Sequence, residues 1–171
     1  MLNELAKEAH EIAAAHGWWG PEPTFGDLVA LMHSELSEAL EEYRAGRPMV
    51  WRDGPKPEGI AVELADCIIR ILDWAGHECV NLDRVFSAVK EDWPKWDIEK
   101  ISHFGDFISG LHNILSMAYT DEECNQGIYF CMVIDYIQEA LKQSGVDLYT
   151  VMRAKMDYNR TRPYRHGGKR L

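Results

Sequence analysis

Residues 58–76 constrain this chain more than any other stretch. Placed at about 100° per residue, Ile60, Val62, Leu64, Cys67, Ile68, Ile69, Ile71, Leu72 and Trp74 cover almost the whole circumference of a helix. A helix that is apolar all round belongs inside a bundle. Through this surface runs one narrow charged stripe: Glu63, Asp66, Arg70 and Asp73. Any acceptable fold must therefore bury the helix and also compensate its carboxylates, because unpaired buried charges are strongly unfavourable.

The rest of the chain has the same helical period. All seven prolines fall in a few breaks, at Pro21 and Pro23, Pro48, Pro55 and Pro57, Pro94 and Pro163. Between them the apolar spacing predicts helices at about 2–16, 25–45, 58–76, 82–93, 98–119, 122–143 and 147–160. Thr24 is placed to cap the second helix and Asp147 the last. Pro57 suits the first turn of the third, and Thr120-Asp121-Glu122-Glu123 has capping-box spacing. No strand run and no hairpin turn is evident, so the expected fold is all-α.

An internal repeat adds architecture. Phe25-Gly26-Asp27 recurs as Phe104-Gly105-Asp106, and in step with it His33 falls on His112, Leu36 on Leu115, Ser37 on Ser116 and Ala39 on Ala118. Lys90-Glu91-Asp92-Trp93 similarly resembles Lys155-Met156-Asp157-Tyr158. The expectation is a single domain over 1–171, built as a helical bundle from two tandem degenerate repeats at about 17–96 and 97–162, with a basic tail at 159–171.

A second pair of carboxylates meets the first. Glu35 lies between Leu28, Leu31, Met32 and Ala39 in the apolar stripe of the second helix, with Glu38 on the edge of that stripe and Glu42 one turn on. Glu35/Glu38 and Glu63/Asp66 are each spaced to share one helical face. Clustered acids raise one another's pKa and take up protons. A divalent cation removes both difficulties, and an all-carboxylate donor set suits Mg²⁺ or Mn²⁺ better than zinc. The competing account is a buried ion-pair network centred on Arg70, although one arginine cannot neutralise five or six acids. In the second repeat, Ile114 and Met117 stand where the first has Glu35 and Glu38, so the fold itself does not require acids there. His33 lies almost opposite Glu35 around its helix, and the Glu-x-x-His pairs of di-iron bundles do not occur on these helices.

Charge is divided unevenly. There are 18 Lys and Arg against 28 Asp and Glu, a net charge of -10 that argues against a nucleic-acid polymer as partner. Residues 159–171 contain Arg160, Arg162, Arg165, Lys169 and Arg170 and no acid, so a +5 tail follows a -15 body. The loop between the second and third helices adds Arg44, Arg47, Arg52 and Lys56. Guanidinium and ammonium groups beside a metal suit a triphosphate. Trp18 and Trp19 could stack on a nucleobase or pack on the core. Cys67, Cys79, Cys124 and Cys131 form no Cys-x-x-Cys pair and read as buried free thiols of a cytosolic protein. No apolar run reaches the roughly 18 residues of a membrane span, and no signal peptide is evident. The expected location is therefore cytoplasmic.

Together these residues resemble the MazG-like, all-α nucleoside triphosphate pyrophosphohydrolases. The family pairs Glu-x-x-Glu with Glu-x-x-Asp on two helices; here these are Glu35/Glu38 and Glu63/Asp66, with 24 residues between Glu38 and Glu63. The run from Lys56 to Asp73 looks like the family's third helix. Lys155, Asn159 and Arg162 resemble the Lys, Asn and Arg near the end of its last helix. The resemblance implies Mg²⁺-dependent hydrolysis of a nucleoside triphosphate to monophosphate and pyrophosphate. Glu35, Glu38, Glu63 and Asp66 would act as metal ligands and catalytic residues, with Glu35 or Glu38 orienting the water. Lys56, Arg70, Lys155, Asn159, Arg162 and Trp18 would bind substrate. The alternative is a non-catalytic helical protein that binds nucleotides or a partner. Many relatives dimerise to complete the bundle, so a homodimer or larger homo-oligomer stays open, as does whether the second repeat completes the site within one chain.

Overall fold

The computed structural model describes residues 1–90, 103–123, 125–168 and 170. It is an all-α bundle of α1 (Leu2–Ala15), α2 (Phe25–Arg44), α3 (Ile60–His77), α4 (Leu82–Val89), α5 (Phe104–Thr120), α6 (Gln126–Gln143) and α7 (Leu148–Arg160). A four-residue turn, α8 (Arg165–Gly168), follows. No helix among the described residues is long and apolar enough to cross a membrane.

As its composition requires, α3 is the centre. It packs against α1, α2, α6 and α7, and Ile60–Ala65, Cys67, Ile68, Ile71, Leu72, Trp74 and Ala75 are all buried. The helices that surround it show the amphipathic face expected of bundle members. Two of the expected caps form. The Thr24 hydroxyl accepts from Asp27 N while Asp27 accepts in return from Thr24 N, a capping box. Asp147 accepts from Thr150 N.

Helices α2 and α5 meet at three levels. The rings of Phe25 and Tyr119 stack at 6.3 Å, those of His33 and His112 at 5.0 Å, and those of Tyr43 and Phe104 at 4.6 Å. The start of each helix therefore faces the end of the other, so the two run antiparallel. The positions in step, His33 and His112, meet midway with Nδ1 atoms 2.7 Å apart. Burial lowers both imidazole pKa values, so one neutral ring donates to the other. Phe-Gly-Asp opens both α2 and α5.

Several local expectations need correction. The stretch before α3 contains an antiparallel hairpin, β1 (Trp51–Asp53) and β2 (Lys56–Glu58), with Trp51 opposite Glu58 and Asp53 opposite Lys56. Pro57 lies in β2, not in a helix, and α3 starts at Ile60. Gly59 precedes it at φ 117°, where an added Cβ would lie 2.7 Å from the Met49 carbonyl oxygen, so only glycine fits. The helix expected from 122 begins at Gln126, because Asp121 accepts from Asn125 N at 2.7 Å and ties the loop instead of capping a helix. Helix α5 starts at Phe104, after an extended His103, and the 98–102 part of the expected helix lies outside the described residues. The thiol of Cys67 is buried and so is that of Cys131, but Cys79 is exposed just beyond the end of α3. Residues 91–102, Cys124, Lys169 and Leu171 lie outside the described residues, and with them the Glu91-Asp92-Trp93 part of the repeat.

Ile68 is fully buried. Ile68→Ala is expected to cost about 2–5 kcal/mol of stability, read as a lower urea midpoint with unchanged slope.

Candidate metal centre

The carboxylates come together where α2 crosses the start of α3. Glu35 is 5% exposed and Glu63 4%, and Asp66 lies beside them. Each offers an oxygen within 4.8 Å of the other two. Glu38 is not part of this cluster. It stands exposed on the rim, where Ser34 Oγ donates to it at 3.2 Å. Glu42 accepts from Trp51 Nε1 at 2.7 Å and braces the hairpin.

Two cations meet the three acids, Lys155 buried and Arg70 half-buried. Arg70 Nε donates to Glu35 at 2.5 Å, and Lys155 Nζ, on a side chain only 3% exposed, lies 2.6 Å from Asp66 Oδ2. The ion-pair account of this stripe is therefore partly realised, with α7 supplying the second cation. It leaves Glu63 without one of its own. Burial, reinforced by Asp66 and Glu35 and opposed by Lys155, pushes the Glu63 carboxyl up to about 8. A hydrogen bond with Glu58 of β2 favours the protonated form further. Burial likewise raises Asp66 to about 6 against the pull of Lys155. Burial opposes the Lys155 charge, but Asp66 and Glu63 outweigh it and raise its pKa. One polar atom remains unsatisfied in the cluster: Asp66 Oδ1 is buried without a hydrogen-bond partner. An orphaned carboxylate oxygen between two neighbouring acids is an opening for a cation. The donor set is hard oxygen only, which suits a small divalent ion. Among the described residues, Glu35, Glu63 and Asp66 form the one group of three able to hold a metal.

Above the cluster lies a cavity of about 260 Å³. Every site residue expected from the sequence lines it: Glu35, Glu38, Glu63, Asp66, Lys56, Arg70, Lys155, Asn159, Arg162 and Trp18. Within this chain α7 and the tail line the same cavity as α2 and α3. Three of the expected substrate cations are nevertheless engaged with acids: Arg70 with Glu35, Lys155 with Asp66, and Lys56 with Glu58. Asn159 Oδ1 is buried without a hydrogen-bond partner. Trp19 is not a free stacking platform. One face lies on His77 at 3.8 Å, and its indole N–H donates to Asp73 at 2.9 Å. Trp18 is half-buried and meets the His166 ring edge-on at 5.0 Å.

Some participants had no sequence signal. Glu58 reaches Glu63 only because the hairpin returns it to the start of α3. Asp73, at the end of the charged stripe, is joined by His10 Nδ1 at 3.0 Å, which closes the cavity floor against α1. His166 enters through the fold of the tail. The sequence matches no protein-family model, and no curated protein or solved structure matches it.

Linkage gives the sign of the pH dependence. Between the ordinary carboxylate value of 4.5 and about 8, the native protein holds a proton on Glu63 that the unfolded chain has released. Stability from this group is thus present at low pH and lost as pH rises through that window. In EDTA, the thermal midpoint is expected to fall between pH 5 and 8 more steeply for the wild type than for Glu63→Gln. Adding a divalent cation should remove most of that difference, which thermal unfolding across the range measures.

Proposed function

We propose that this chain is a Mg²⁺-dependent nucleoside triphosphate pyrophosphohydrolase acting on the cytoplasmic nucleotide pool. The observation that carries the reading is the gathering of two buried carboxylates and a largely buried third, which has an unpartnered oxygen, beneath a cavity walled by cations and an indole. The cavity is of the scale of a small-ligand site, and the family resemblance in the carboxylate motifs points the same way.

In this reading Glu35, Glu63 and Asp66 hold the cation. Bound there, Mg²⁺ would neutralise phosphate oxygens and activate a water. Arg70 fixes one oxygen of Glu35 and Lys155 one of Asp66. Both carboxylates are therefore oriented before the ligand arrives, which removes reorganisation from the reaction. Glu35 is committed to this role, so Glu38 on the rim is the carboxylate left to orient the attacking water and accept its proton. Water oxygen bonds to the α-phosphorus, the α–β anhydride bond breaks, and pyrophosphate departs with the bridging oxygen. Arg162 offsets the charge that develops on it. Asn159 meets a donor on the sugar or base, and Trp18 borders the nucleoside end.

The test is incubation of the purified protein with each common nucleoside triphosphate, with and without Mg²⁺. Monophosphate and pyrophosphate are the expected products. Diphosphate with orthophosphate would refute the assigned bond, and tight binding without turnover would favour the non-catalytic alternative. Glu63→Gln should lower kcat/KM by at least about 100-fold, more than losing a ligand's supporting partner costs. Glu38→Gln should lower kcat while leaving Mg²⁺ affinity within about twofold, as expected of a residue outside the metal cluster.

A further inference from the structure

The cations around the cavity are not equally available. Arg70, Lys155 and Lys56 each face an acid, whereas Arg162 and Arg170 have no carboxylate partner among the described residues. Both lie beyond the end of α7. The Arg162 guanidinium rests over the Tyr158 ring, so its charge still faces the cavity undiminished by an anion.

The segment that presents them is held in an unusual way. Arg165 N donates to the His16 carbonyl at 2.9 Å, and its Nε donates to the Gly17 carbonyl at 3.0 Å. Tyr164 lies directly on Gly17, where a Cβ would come within 2.0 Å of the ring. Gly17 stands at φ 80°, so a side chain is excluded there by conformation as well as by space. Arg165 and His166 then take φ 45° and 48°, followed by Gly167 and Gly168 at 91° and 88°. Side-chain-bearing residues seldom adopt such angles in succession, and they persist only where surrounding contacts determine them. Here those contacts are the loop after α1 and the Trp18–His166 edge.

We infer that residues 161–168 form a strap, docked through Tyr164 and Arg165 on His16 and Gly17, that holds Arg162 and Arg170 over the carboxylates to grip the phosphate chain of the ligand. This rests on the proposed function, which it sharpens: the strap sets affinity for the phosphates, while the nucleoside is bound elsewhere in the cavity. Arg162 and Arg170 touch the ligand; Gly17, Tyr164 and Arg165 act by positioning them.

The experiment measures binding of inorganic triphosphate and of a nucleoside monophosphate to the full chain in Mg²⁺ by calorimetry. Arg162→Gln and Arg170→Gln should each weaken inorganic triphosphate about tenfold, as loss of a charge-assisted hydrogen bond does. Gly17→Ala and Tyr164→Ala, which remove no charge, should weaken it as well, with monophosphate affinity held within about twofold. Thermal unfolding reports whether each variant is folded. In the unmodified protein, Mg²⁺ with inorganic triphosphate should slow tryptic cleavage after Arg165. Unchanged triphosphate affinity in Gly17→Ala and Tyr164→Ala, or unchanged cleavage, would overturn the strap. Equal losses for monophosphate and triphosphate would overturn its assignment to the phosphates. Binding is read without turnover, so absence of pyrophosphate release would sink the proposed reaction and leave the strap to be judged by these affinities.

Discussion

The burial of more negative charge than the bundle itself can neutralise governs this structure. A helix as apolar as α3 has to be central, and once central it carries Glu63, Asp66, Arg70 and Asp73 inward with it. Glu35 joins them from α2. The fold answers with Arg70 and Lys155, placed on Glu35 and Asp66, and stops there. A third cation would complete a purely structural network. Its absence among the described residues leaves a carboxyl that keeps its proton near neutral pH and a carboxylate oxygen with no partner. Such arrangements are poor sources of stability, which supports the proposed reading of the cluster as a ligand site.

The remaining elements can be understood by what they do for that cluster. The hairpin β1–β2 returns Lys56 and Glu58 to the first turn of α3, and Gly59 makes the return tight enough to fit under Met49. Helix α1 and the Trp18-Trp19 loop close the far side, with Asp73, His10 and Trp19 tied together. Helix α7 brings Lys155 and Asn159. Helices α5 and α6 contribute no acid to the cluster. Ile114, in step with Glu35, is buried in the apolar core. Their role toward the site is to hold α2 and α3, through the stacked rings on α2 and through α6 behind α3.

Much of this was legible because helical periodicity and burial are read from the same residues. The apolar circumference of α3 implied its centrality, and the acids inside it implied a site. The tail carried more cations and aromatics than a solubility segment needs. Other features depended on contacts that spacing does not encode. The strands are three residues long, too short to show alternation, and the turn between them is Gly54-Pro55, with Gly54 at φ 57° in the first central position. Glu38 shares a face with Glu35 by spacing, but one step around the helix was enough to leave it on the rim. Lys155 read as a phosphate ligand because nothing local to α7 reveals that Asp66 lies 2.6 Å away.

The pairing of Lys155 with Asp66 also orders events in time. During synthesis the acids of α2 and α3 emerge long before the lysine that offsets one of them. A chain made only as far as α6 would hold its apolar helices together while three carboxyl groups faced a single arginine. The native packing around α3 therefore gains its full advantage only once α7 docks, so the centre and the last long helix belong to one cooperative unit. Competence to hold a cation is in this sense a late property of the chain, acquired at the step that completes the fold.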